Sequence, residues 1–126
     1  MSGFGIVCAN AVIRLGYGAA ALTNPSRTRA GKVSLAPDTE QFPEARLFVR
    51  GFAAHQVAVA LVGLASLARR DLRRPAMALA AATDVADIVS AAIEARSRAR
   101  LDADLSGGIV FSSAGLGSAL LGMRLA

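Results

Sequence analysis

Side chains able to move protons gather in two stretches that are otherwise apolar. In GFGIVCANAVIRLGYGAAALT (3–23), Asn10, Arg14 and Tyr17 follow the spacing i, i+4, i+7. In PAMALAAATDVADIVSAAIEA (75–95), Asp84, Asp87 and Glu94 follow i, i+3, i+10. On a helix each set occupies one face, so the two stripes can be turned toward each other. A third apolar stretch supplies Arg50 and His55, the only histidine of the chain. Carboxylates within reach of an imidazole or a phenol are the parts of general acid/base catalysis. The corresponding chemistry is isomerisation or cyclisation of a lipophilic small molecule. Asp87 and Asp84 are the candidates for proton transfer, with His55 and Tyr17 assisting. Arg14 sets the carboxylate charge, and Asn10, Arg50 and Glu94 are candidates for binding substrate or tuning charge.

Other chemistries lack their residues. Cys8 is the single cysteine, which excludes an intramolecular disulfide and a cysteine-based metal site. With one histidine, a zinc site would rest mostly on carboxylates, so no metal is expected. No phosphate loop, nucleophile elbow or metal motif is present, and no cofactor is expected. The formal net charge is +5. Its arginines cluster between apolar runs, as in ARRDLRR (68–74) and EARSRAR (94–100), with no aromatic residue interleaved for base stacking. That distribution fits lipid headgroups and excludes nucleic acid as the expected partner.

Four apolar segments must position these residues: 3–23, 47–68, 75–95 and 105–126. At ~1.5 Å per residue, some 20 residues cross a hydrocarbon layer of ~30 Å. A soluble bundle would need a charged face on each helix. From Gly51 to Ala68 only His55, Gln56 and Ser66 are polar, and no charge lies between Ser106 and Met123. The 126 residues therefore read as one integral membrane domain, an all-α, up-down-up-down bundle of four transmembrane helices. The first segment lacks the preceding Lys or Arg of a signal peptide and is taken as a helix of the bundle. Pro75 reads as a first-turn residue of the third helix. Pro25, Pro37 and Pro43 break the 24–46 connection, expected to be an irregular cap over one end. Arginines on both sides leave the membrane orientation open.

Depth along each segment sharpens the pairing. Centring the first on Ile13 and the third on Val85 puts Arg14 and Asp84 within ~1.5 Å of the midplane. An unpaired charge there costs roughly 2.5–3.5 kcal/mol, so an Arg14–Asp84 ion pair is expected. Tyr17, His55 and Asp87 fall together slightly toward the side of the long loop, and Arg50 and Glu94 further out. Two roles stay open: a buried network that fixes helix register, as in a non-catalytic membrane scaffold or accessory subunit, or a proton path or site, serving catalysis or a proton-coupled small-molecule carrier. In the fourth segment Gly108, Ser112, Gly115, Ala119 and Gly122 form a stripe of small residues, a device for close helix packing in membranes. Ser112 and Ser113 could add hydroxyls to the polar layer.

The run RLFVRGFAAHQVAVALVGLASLARRDLRRPAMALAAATDVADI (46–88) resembles DoxX-like small bacterial membrane proteins carrying a domain of unknown function. The likeness lies in an Arg-rich start of the second helix, a short basic turn and an acidic third helix. It implies a four-helix membrane bundle in a bacterial inner membrane, with Arg46, Arg50, Gly51 and Asp84 as the family-type positions. Membrane lipids, a lipophilic small molecule and further copies of the chain are the expected partners.

Overall fold

The computed structural model describes residues 2–25, 43–97 and 103–126. They form four helices: α1 Gly3–Thr23, α2 Pro43–Ser66, α3 Arg70–Ser97 and α4 Ala103–Leu125. The all-α four-helix bundle expected from the apolar segments is present, and each helix is long and apolar enough to cross a membrane.

Helix ends follow local rules. Ser2 caps α1, its Oγ accepting from the Gly5 N–H at 3.3 Å. The chain leaves α1 at Asn24, whose N–H still reaches the Ala20 carbonyl, and Pro25 follows. Pro43 is not a loop breaker: it is the first residue of α2, where a missing N–H leaves nothing unsatisfied. Helix α2 thus begins four residues before the apolar segment, because hydropathy marks the buried length of a helix and not its hydrogen-bonded length. At its other end the Leu67 and Arg69 N–H groups bond to Leu64 and Ser66 carbonyls, a tightened turn that stops the helix at Ser66.

The third helix differs from expectation in the same way. It starts at Arg70, so Pro75 lies inside it, beyond the first turn. Arginine and leucine are good helix formers, and Asp71 in the first turn opposes the positive end of the helix dipole. Of the 24–46 connection, residues 26–42 lie outside the described part, and with them the expected cap.

Neighbouring helices run antiparallel and meet where a side chain is missing. Gly18 lies against the Ala53 carbonyl and Val57, and Gly63 against Ala11, joining α1 to α2. Gly115 lies against Asp84, and Gly122 against Met77, joining α3 to α4. From the first of these contacts to the second, each helix advances two turns, the repeat of shallow-angle helix packing. The same repeat relates the α1/α4 contacts, Gly3 with the Leu125 carbonyl and Asn10 with Ser118. The expected small-residue stripe of α4 is thus a packing face at Ser112, Gly115, Ala119 and Gly122, whereas Gly108 faces open space. Helices pair tightly as α1 with α2 and α3 with α4, and the α1/α4 and α2/α3 seams are looser.

The interior is layered along the bundle axis. Toward the chain termini Val7, Val59, Met77, Ala80, Ala81 and Ala119 form the apolar core. Toward the other end Tyr17 packs edge-on to Phe52 at 6.4 Å and beside Phe111 at 5.5 Å. Between them lie buried polar residues, including Asn10, Arg14, Gln56 and Asp84. The outside is apolar: Val12, Ile13, Leu61, Val89, Ile93 and Val110 are all exposed. Polar side chains within and hydrocarbon without suit a lipid solvent, and the chain is an integral membrane protein.

Candidate polar site at mid-membrane

Each helix brings at least one polar side chain to a shared network, and Arg14 lies at its centre. Its Nη2 donates to Asp84 Oδ2 at 2.5 Å and to the Ala80 carbonyl at 3.2 Å. Nη1 donates to Gln56 Oε1 at 2.6 Å and Nε to Asn10 Oδ1 at 2.9 Å. Asn10 lies one turn before Arg14, so it can anchor the guanidinium from the same helix. Four of the five guanidinium N–H groups therefore have partners. The Arg14–Asp84 ion pair expected from depth is formed, with 6% and 4% of the two side chains exposed. It crosses the bundle diagonally, from α1 to α3.

The network continues on both sides of the pair. Gln56 Nε2 donates to Asp87 Oδ2 at 3.2 Å, which carries it to the α2/α3 seam. Asn10 Nδ2 donates to Ser118 Oγ at 2.7 Å, and Ser118 donates to the Gly115 carbonyl at 2.9 Å, which carries it to the α1/α4 seam. Local spacing explains the geometry. Ser118 Oγ is within reach of the carbonyl one turn back, as serines in membrane helices commonly are. Gly115 allows the Asp84 carboxylate to lie against the α4 backbone.

The α1/α4 seam opens into a cleft of about 190 Å³. Its walls are Ile6, Ala9 and Ile13 of α1 with Phe111 and Ala114 of α4, and its floor is Asn10, Arg14, Asp84 and Ser118. Ile13 and Phe111 are 57% and 49% exposed at mid-helix, so the mouth faces hydrocarbon. Asp84 is only 3% exposed, and its Oδ1 takes no hydrogen bond among the described residues. The arrangement is an apolar slot with an acceptor at its base. Among the described residues no three His, Cys, Asp or Glu side chains converge as a metal site would need.

The candidates named from the sequence separate into groups. Asn10, Arg14 and Asp84 share the cleft floor. Asp87 is half-buried on the opposite seam and joins them through Gln56. His55 is exposed, and the hydrogen bond to Asp87 comes from its neighbour Gln56 instead. Tyr17 is half-buried in the aromatic layer above the floor. Arg50 is exposed, and Glu94 lies two helical turns beyond Asp87. Ser112 is buried and Ser113 exposed, and the hydroxyl that enters the network belongs to Ser118.

Gln56 and Ser118 carry no charge, so matching charges by depth does not find them. Their signal was in the small-residue pattern. Ala53, Gln56, Ala60 and Gly63 share one inward face of α2, and His55 sits about 100° away from Gln56 on a helix. Ser118 follows Gly115 by three residues, on the same side of α4. Compared with family models, curated proteins and solved structures, the chain gives no match.

Proposed function

We propose that the chain takes a small lipophilic molecule from the bilayer into the α1/α4 cleft and performs acid/base chemistry on it. One observation carries this reading: Asp84 is a buried residue at the base of a slot that opens to lipid, and its Oδ1 has no hydrogen bond among the described residues. Arg14 grips the other oxygen and fixes the carboxylate's orientation. In an isomerisation, Oδ1 takes a proton from one atom of the bound molecule and returns it at another. One bond to hydrogen breaks, one forms, and no co-reactant is consumed. Asp87 is a positioning residue, acting through Gln56 on Arg14. The likeness of residues 46–88 to DoxX-like bacterial inner-membrane proteins belongs to the same proposal, since Asp84 is both a family-type position and part of the floor.

Deuterium incorporation tests the reading. Lipophilic molecules that co-purify with the protein in nanodiscs are incubated with it in D2O and analysed by mass spectrometry. The wild type is expected to introduce deuterium at carbon, and Asp84→Asn to abolish this while Asp87→Asn only slows it. Equal incorporation by wild type and Asp84→Asn would refute the proposal.

A proton-coupled carrier is the second reading. It is favoured by the hydrogen-bond chain that crosses the bundle from Ser118 on one seam to Asp87 on the other.

A further inference from the structure

We infer that the cleft selects a lipophilic alcohol: a hydroxyl head on a hydrocarbon chain whose remainder stays in the bilayer. The inference rests on the reading of the cleft as a ligand site and adds the class of ligand.

Charge excludes an anionic head. The network holds one guanidinium and two carboxylates, Asp84 and Asp87. The arginine is already consumed. Its Nη2 is engaged by Asp84 and the Ala80 carbonyl, and its Nε by Asn10. The remaining N–H is on Nη1, the nitrogen turned to Gln56 on α2, away from the α1/α4 seam. A carboxylate or phosphate entering the slot would meet the Asp84 carboxylate with no cation to receive it. Burying a charge without a partner is costly, more so in a lipid-facing site.

Hydrogen-bond capacity selects the hydroxyl. Asp84 Oδ1 is an acceptor without a donor. Asn10 spends one Nδ2 hydrogen on Ser118, and its second has no partner among the described residues. Ser118 is occupied both as acceptor, from Asn10, and as donor, to the Gly115 carbonyl. The floor thus offers one acceptor and one neutral donor. A hydroxyl answers both, donating to Asp84 and accepting from Asn10, whereas an ammonium can only donate.

Size fixes how much of the molecule enters. At about 190 Å³ the cleft lies below the ~300–1,000 Å³ of sites that enclose a whole drug-sized ligand. It is close to the ~150 Å³ apolar cavity that takes up one benzene. The head and its first carbons fit between Ile13 and Phe111, and the chain beyond them runs out through the exposed mouth.

The test is photolabelling of the protein in nanodiscs with a diazirine-bearing dodecanol, followed by peptide mapping. Crosslinks are expected on α1 and α4 at the cleft. Dodecanol should displace the probe at least about tenfold better than dodecanoate or dodecylamine, the discrimination one charge-assisted hydrogen bond can supply. Ala114→Phe, which fills the slot from an exposed wall position without touching the polar floor, should remove the crosslinks. Asp84→Asn should narrow the preference for alcohol over carboxylate. Should dodecanoate or dodecylamine compete as well as dodecanol while Ala114→Phe still blocks labelling, the cleft binds ligands but the alcohol assignment is wrong. Labelling that is absent from the cleft, or unchanged by Ala114→Phe, would overturn the cleft as a site along with its ligand class.

Discussion

The Asp84 carboxylate lies directly against the backbone of Gly115: a Cβ built on that glycine would come within 2.8 Å of Oδ2 and 2.9 Å of Oδ1. The ion pair on α3 and the absent side chain on α4 are therefore one design. Helix α4 can close over the charge only because nothing projects there.

Gly115→Ala should accordingly force the carboxylate or the helix to shift and cost ~1–3 kcal/mol. Gly117→Ala, at a position with nothing within 4 Å, should be neutral or slightly stabilising. Thermal unfolding of the two variants in the same detergent separates them. Equal melting temperatures would mean that α4 does not pack on Asp84.

Breaking the pair from either side should be costly, and breaking it from both should cost less than the two losses added together. Arg14→Met leaves Asp84 buried without its cation, and Asp84→Asn leaves Arg14 without its anion. Each is expected to cost ~3–5 kcal/mol. The double variant should lose less than the sum of the two, with a coupling of ~2–3 kcal/mol in a double-mutant cycle. Strict additivity would show that the two side chains do not interact.

How much of this could be read in advance differs from residue to residue. Arg14 and Asp84 were legible because a charge in hydrocarbon must find a partner at its own depth, and depth follows from counting residues along a helix. The packing role of Gly115, Ala119 and Gly122 was legible because only small residues let helices touch. His55 misled because depth carries no information about azimuth: it stands level with Gln56 but points outward. Helix limits at Pro43 and Arg70 were missed because charged residues extend helices past the membrane without adding hydropathy. The cleft itself had no sequence signature. It exists because α1 and α4 are less closely packed than the tight pairs on either side, a consequence of how four faces divide among four neighbours.

The azimuth of α2 makes a sharp contrast between adjacent positions. Gln56→Leu removes a partner from both Arg14 and Asp87 and should destabilise by ~1–3 kcal/mol. His55→Leu alters an exposed side chain and should stay within ~0.5 kcal/mol of the wild type. Chemical or thermal unfolding in one detergent checks both. The reverse order would rotate the helix by about one residue, some 100°.

The cleft mouth should lie deep in the bilayer. The chain has no tryptophan, so Ile13→Trp and Phe111→Trp each introduce a single fluorophore at the mouth. Lipids brominated near the ends of their acyl chains should quench both more strongly than lipids brominated near the headgroup. Stronger quenching by the headgroup-proximal bromines would place the mouth at the interface and leave hydrocarbon no direct route to Asp84.

The most direct measurement is the distance between Arg14 and Asp84 in a lipid bilayer, by solid-state NMR dipolar recoupling of ¹⁵N-labelled guanidinium and ¹³C-labelled carboxyl groups. A separation of ~4 Å or less between Nη and Cγ is expected for a charge-assisted hydrogen bond, with the coupling lost in Asp84→Asn at the labelled site. A separation beyond about 6 Å, too long for any direct hydrogen bond, would contradict the mid-membrane pair on which the cleft floor is built.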